Sequence, residues 1–266
     1  SRLTIIITNK MALKRRDVFF GKDETLEMLK SGKSIDKIFI LRGKHGGEYS
    51  EIREICKKRV IPINIVPKEK INYLLNPLMP GGFINHQGVM GIYSPIDFAN
   101  IDDVLHSVIY KGRDVLFVLL DNVTDVRNVG AIARSALAFG ADALIVPLKG
   151  SAQINHESVK ASANTLKDMT ICRTESLESA IEFLKLNGIA IIGSSLHSKT
   201  PIQEVNFRKP MALVMGSEGD GMGAVIGSKC DEKFIVPMSG KIDSLNVSVS
   251  CGVMLYEIFN QRNAKF

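Results

Sequence analysis

Residues 212–223 read ALVMGSEGDGMG, an unbroken apolar run that passes directly into a turn holding four glycines. A strand with one wet face alternates apolar and polar residues. One that is apolar at every position is covered on both sides, as in parallel sheets flanked by helices. Comparable runs lie at 115–120, 143–146, 189–193 and 234–236, and helical spacing of apolar residues appears between or after them at 129–139, 177–186, 224–229 and 247–262. Strand and helix in alternation predict an α/β domain on a parallel sheet. The glycine turn then falls where such sheets hold ligands, beyond the carboxyl end of a strand.

Working outward, residues 19–93 repeat the pattern on a smaller scale. Helix-like stretches at 24–29, 49–58 and 68–75 alternate with strand-like ones at 37–41, 61–66 and 89–93. Between the last helix and strand, NPLMPGGFINH at 76–86 reads as an exposed loop, a candidate RNA-contacting element or a simple connection. The expected organisation is an N-terminal extension at 1–16, a small α/β domain at 17–95, a linker at 96–113 with one helix candidate at 101–110, and the main domain at 114–266. Met11 and the basic run behind it suit a start site, which leaves the first ten residues outside the fold argument.

Of the 266 residues, 45% are hydrophobic and 23% charged, enough apolar matter for a sizeable core. No apolar run approaches the ~18–20 residues that span a bilayer, and residues 3–8 are too short for a signal sequence. Four cysteines without a CxxC pair argue against a zinc site and a disulfide framework, so no metal is expected and a reducing, cytoplasmic setting fits. The net charge of +6 is uneven: residues 1–98 hold 17 Lys/Arg against 10 Asp/Glu, and residues 99–266 hold 17 against 18. A basic first part predicts contact with a polyanion such as RNA, although a lysine-rich solvated surface has the same composition.

Three clusters carry candidate chemistry. In the first, Asn122, Asp125 and Asn128 offer turn and cap groups before a helix that bears Arg134 among Ala and Ser. An isolated helix arginine is ordinarily a solvated charge. The second is the glycine turn, which is not GxGxxG in register and lies far from a first strand, so a dinucleotide-binding dehydrogenase fits poorly. Its Glu218 would repel a phosphate and better suits a ligand with a cation or a hydroxyl. In the third, residues 235–257, Ser244 and Asn246 are natural caps for a helix that opens with small and β-branched residues, poor helix formers that only packing can hold. Small residues also admit a second chain, which makes this face a candidate subunit interface.

NVTDVRNVGAIARSALAFGAD at 122–142, LVMGSEGDGM at 213–222 and IVPMSGKIDSLNVSVSCGVMLYE at 235–257, in this order, closely resemble the three signature motifs of the SpoU family of RNA ribose 2′-O-methyltransferases. FFGKDETLEMLKSG at 19–32 and NHQGVMGIY at 85–93 look like the ends of the ribosomal-protein-like RNA-binding domain carried by members that modify 23S rRNA. The resemblance implies a C-terminal deep trefoil-knot domain of the SPOUT type, a homodimer with active sites at the subunit interface, and S-adenosylmethionine bent within the knotted loops. By the same resemblance Gly216, Val236, Met238 and Leu245 touch the cofactor, and Asn128, Arg134, Glu218, Ser244 and Asn246 match the positions associated with catalysis. SANT at 162–165 departs from the usual Ser-Ala-Gly-Ala, where Asn can replace Gly in a left-handed conformation.

The expected reaction is methyl transfer to a ribose 2′-hydroxyl, most plausibly of a 23S rRNA guanosine. A guanidinium with a pKa above ~12 does not serve as a base, so Arg134 is expected to clamp phosphate and stabilise charge on the 2′-oxygen. His86 is a weaker RNA-contact candidate, and Cys251 is expected to pack. A tRNA substrate and a catalytically silent ribosome-assembly factor are the alternative readings.

Overall fold

The computed structural model describes residues 13–82, 84–217, 219, 221–242 and 244–263. The chain divides into two compact units at Ser94/Pro95. The expected extension at 1–16 lies mostly outside the described residues.

In the first unit, β1 (Val18–Phe20), α1 (Lys22–Lys30), β2 (Ile35–Leu41), α2 (Gly47–Lys58), β3 (Ile63–Val66), α3 (Lys68–Leu75) and β4 (Val89–Tyr93) follow in order. The four strands form one sheet, β1-β4-β2-β3, in which β4 is antiparallel to both its neighbours and β3 runs parallel to β2. The period-2 geometry of a strand explains the apolar sequence of β2. Ile38 and Ile40 pack with Leu29, Ile52 and Cys56 of α1 and α2. Phe39 packs on the opposite face with Ile71 and Leu75 of α3.

The second unit comprises β5 (Phe98–Ala99), α4 (Ile101–Tyr110), β6 (Leu116–Leu120), α5 (Val126–Ala138), β7 (Ala143–Pro147), α6 (His156–Ala161), α7 (Thr165–Asp168), β8 (Ile171–Thr174), α8 (Leu177–Leu186), β9 (Ala190–Ser194), β10 (Met211–Met215), α9 (Ala224–Lys229), β11 (Glu232–Phe234) and α10 (Val247–Arg262). Its sheet order is β11-β9-β10-β6-β7-β8-β5, with every neighbouring pair parallel. In β6, Leu116, Val118 and Leu120 join a core with α5 and α10. Phe117 and Leu119 join the core on the other face with α4 and α8. This is the two-faced burial that the unbroken apolar strands predict.

Several expectations shift. The stretch read as a linker is built into the fold: β5 extends the sheet beside β8, and α4 buries Leu105 and Val108 against β6. Its two-residue strand is too short for periodicity to reveal. The run at 234–236 is a strand at Glu232–Phe234 instead, because Ile235 leaves the sheet to donate its N–H to the Thr200 carbonyl at 2.9 Å. Asn164 is left-handed at φ +68°, the conformation that lets Asn replace Gly there. No helix among the described residues is long and apolar enough to cross a membrane.

The topology has a switch point. From β6 the chain proceeds outward through β7 and β8, then crosses to β9 and returns with β10 beside β6. Met215 and Leu120, the last residues of β10 and β6, are register partners. The loops that leave these two adjacent ends diverge, and open parallel sheets form their binding crevices at such a divergence.

Candidate functional site

At the end of β6 stands Asp121, almost fully buried. One carboxylate oxygen accepts the Gly223 N–H at 2.7 Å and the other accepts the Asn122 side-chain amide at 2.9 Å. Its own N–H continues the sheet ladder to the Met215 carbonyl at 2.8 Å. Gly223 immediately precedes α9, so this carboxylate ties the end of β6 to the far side of the glycine turn. Sequence reasoning passed over Asp121. The available signal was a carboxylate set directly after five buried apolar residues, where only a fixed hydrogen-bonding role compensates its desolvation.

The glycine turn is closed on itself. Ser217 and Gly221 exchange backbone hydrogen bonds at 2.9 and 3.1 Å, and Gly219 and Gly221 adopt φ of +95° and +68°. A Cβ on Gly216 would stand 2.1 Å from the Gly221 carbonyl carbon and 2.2 Å from the Met222 nitrogen. The neck of the turn therefore closes to a backbone separation that admits no side chain. Glu218, the turn's candidate catalytic carboxylate, lies outside the described residues.

Around this turn lies a cavity of about 530 Å³, within the ordinary range for small-molecule sites. The turn forms one wall, and the segments after β9 and between β11 and α10 form the others. Four residues expected to touch a cofactor, Gly216, Val236, Met238 and Leu245, line it together with Ser244. Its chemistry is mixed. Met215, Val236, Leu245 and Met254 present apolar surface; Ser195, Ser217 and Ser250 present hydroxyls; His197 and Lys233 present nitrogen groups. Among the described residues no carboxylate lines it.

Beside the cavity, Asn246 caps α10. Its Oδ1 accepts the Ser248 N–H at 2.9 Å and the Ser248 hydroxyl at 2.6 Å, satisfying groups that the helix start leaves open. Its Nδ2 donates to Asn128 Oδ1 of α5 at 3.1 Å. Two residues 118 positions apart in the chain are thus joined, and the bond sits on the packed α5/α10 pair. Neither residue lines the cavity.

Arg134 is placed differently. Six residues beyond Asn128, at roughly 100° per residue, it faces about 120° away around the helix, and it is exposed. Among the described residues it makes no hydrogen bond or ion pair, and it does not line the cavity. Val249, Val253 and Tyr256 of α10 and Leu137 of α5 are also exposed, while Val247, Cys251, Met254, Leu255 and Ile258 are buried. Helix α10 is therefore apolar on two faces. Desolvation pushes the Cys251 thiol up to about 12, which leaves it protonated and inert, as its expected packing role requires.

Comparison with known proteins adds to this geometry. Residues 115–256 match the SpoU rRNA Methylase family, and residues 18–99 match the RNA 2′-O ribose methyltransferase substrate binding family. A Bacillus subtilis protein, YacO, which carries the name of a TrmH family tRNA/rRNA methyltransferase, is 30% identical over 249 residues, covering 94% of this chain and 97% of that one. Among solved structures, the SpoU methyltransferase AviRb from Streptomyces viridochromogenes in complex with the cofactor AdoMet superposes with a TM-score of 0.57 at 24% identity, covering 93% of this chain and 90% of that one. The A. aeolicus TrmH/SpoU tRNA modifying enzyme superposes with a TM-score of 0.52 at 32% identity, covering 57% of this chain and 78% of that one.

Proposed function

Since the chain belongs to the SpoU rRNA methylase family, we propose that it methylates the ribose 2′-hydroxyl of RNA from S-adenosylmethionine, and that its target is a guanosine of 23S rRNA. One observation carries the reading. Gly216, Val236, Met238 and Leu245, drawn from two separate motifs, line a single cavity beyond the carboxyl ends of β9, β10 and β11 in a parallel sheet. The lining fits the donor chemically: apolar side chains suit an adenine ring, serine hydroxyls suit a ribose diol, and Lys233 with His197 suits a carboxylate.

S-adenosylmethionine, when bound, supplies a methyl group on a positively charged sulfur. The chain's own work is to hold, orient and neutralise. Gly216 and the turn behind it present backbone rather than side chains, so a flat ligand can approach closely. Asp121 holds that turn in place through Gly223. Asn246, fixed by Asn128, sets where α10 begins and hence the position of Ser244 and Leu245. Arg134 clamps an RNA phosphate and stabilises negative charge on the 2′-oxygen while its proton passes to water or phosphate; Glu218 accepts hydrogen bonds that orient the polar cluster.

A single chain leaves Arg134 away from the cavity, and this favours a homodimer in which Arg134 of one copy completes the site of the other. The exposed Val249, Val253 and Tyr256 stripe on α10 supplies the apolar surface for that contact. A deep trefoil knot in the second unit belongs to the same reading. The pairing of residues 200–202 with Ile235, between two segments far apart in the chain, supports it. The four cysteines are free thiols, consistent with a reducing cytoplasm.

The match of residues 18–99 to a substrate-binding family and their positive charge favour ribosomal over transfer RNA. The test is transfer of labelled methyl groups to unmodified 23S rRNA and tRNA transcripts, followed by mapping of 2′-O-methyl sites. Label at one 23S guanosine is expected. Label in tRNA alone moves the substrate, and no transfer despite donor binding leaves a silent assembly factor.

A further inference from the structure

The first unit holds a second cavity, of about 460 Å³, between α3, the turn after β2 and the loop before β4. Its polar lining includes Lys44, Lys68, Asn72, Asn76, Asn85 and His86, and among the described residues no carboxylate. Among the described residues the side chains of Lys68, Asn72, Asn76 and Asn85 make no hydrogen bond. Lys44 lies across Gly88, its carbons 3.2 Å from where a Cβ would stand, so an alanine there would push it aside.

The floor of the cavity is fixed. Gln87 is held by the Lys22 N–H on its Oε1 at 2.8 Å and by the Tyr49 hydroxyl on its carbonyl, and Leu41 donates to the Gly88 carbonyl at 2.8 Å. His86 is only 5% exposed, and its Nδ1 accepts the Gly88 N–H at 2.9 Å. The ring is therefore neutral with its proton on Nε2, and that N–H has no partner among the described residues. A ring N–H without a partner among the described residues, two ammonium groups and three amides without hydrogen bonds thus line one cavity.

We propose that this cavity binds one unpaired nucleotide of the substrate RNA, its phosphate on Lys44 and Lys68 and its base edge against the Asn72, Asn76 and Asn85 amides and His86 Nε2. Lysines without a carboxylate neighbour suit a phosphate. Asn amides offer the paired donor and acceptor that a base edge presents. Proteins that read RNA sequence do so mostly on splayed, unpaired bases, and the cavity volume lies within the range for bound small molecules. The inference rests on the reading that the chain acts on RNA, and it gives the first unit a specific contact in addition to its overall charge.

The test uses the full chain. AMP, GMP, CMP, UMP and inorganic phosphate are each titrated while the Gly88 amide and His86 ring resonances are followed by NMR. Saturable shifts are expected with at least one monophosphate, at a concentration tenfold or more below that needed for phosphate alone. Equal response to phosphate, or no response, overturns the nucleotide pocket. In a second arm, Lys68→Ala with Asn72→Ala should weaken binding of a 23S rRNA transcript at least tenfold and leave S-adenosylmethionine affinity unchanged. Asn85→Ala, on the loop and away from α3, should weaken transcript binding in the same direction; unchanged transcript affinity in both variants overturns the proposal. The activity reading fails separately: a chain that binds monophosphates here and methylates no RNA keeps the pocket, whereas one that methylates RNA without these shifts loses it.

Discussion

The two cavities are walled by different materials. The one at the ends of β9, β10 and β11 has a wall shaped by backbone, the glycine turn, set by the close approach at Gly216 and the Asp121 tie. The one beside α3 is shaped by lysine and asparagine side chains on a fixed loop. A site made of backbone recognises shape and tolerates almost no added atom. A site made of long cationic side chains recognises charge, loses affinity gradually as residues are removed, and weakens with salt. The division matches the two tasks, holding one defined small molecule and gripping a large polyanion.

The largest effect expected from this contrast is at Gly216. Gly216→Ala should abolish S-adenosylmethionine uptake in calorimetry and lower the thermal midpoint of the second unit, because the new methyl has no room against the Gly221 and Met222 backbone. A variant that folds and binds normally would show that the wall is not set by backbone contact. Next is Arg134→Ala, for which removal of a charge-stabilising donor predicts a ~10²–10³-fold loss in kcat with donor affinity unchanged. Activity of that variant recovering as pH rises would assign the arginine a proton-accepting role instead.

A smaller effect is expected at Asn246. Its replacement by Ala removes a helix cap, which costs about 1 kcal/mol, and the bond to Asn128 as well. For a unit of this size a 1 kcal/mol loss corresponds to a fall of about 2–4 °C in the thermal midpoint. Unchanged melting together with reduced kcat would make Asn246 a substrate-contacting residue rather than a positioning one. The smallest effect concerns pH and the first unit. Burial, and then the nearby Lys68 charge, lower the His86 pKa from its ordinary 6.5. The folded state therefore favours the neutral ring. Its contribution to stability is complete above pH 6.5 and is lost as pH falls toward the depressed value. The protection of β4 amides against hydrogen exchange, corrected for the intrinsic rate at each pH, should fall as pH is lowered from 7 to 5, and His86→Gln should flatten that slope.

Much of the architecture was legible in the chain. The helices at 68–75, 177–186, 224–229 and 247–262 appear with the expected ends, which Pro, Gly or Asn punctuation marks in each. Short elements escaped. Strands β1, β5 and β8 have three, two and four residues, too few for a period to show, and each exists only because a neighbouring strand offers it hydrogen bonds. The linker expectation failed at 96–113 for the same reason. Of the candidate site, the residues themselves brought forward the glycine turn, and the resemblance to the SpoU family implied the residues that share its cavity. Neither revealed Asp121, whose importance comes from a bond to Gly223, 102 residues away.

Local composition and spacing were sufficient for the α/β class, the buried parallel strands, the basic first part and the family likeness, since each depends on residues close together in the chain. Which loops meet was settled only by the folded sheet. The adjacency of β6 and β10, the Asn246 to Asn128 bond and the outward face of Arg134 all follow from strand order and helix rotation. These are set by packing among distant segments and leave no periodic trace along the chain.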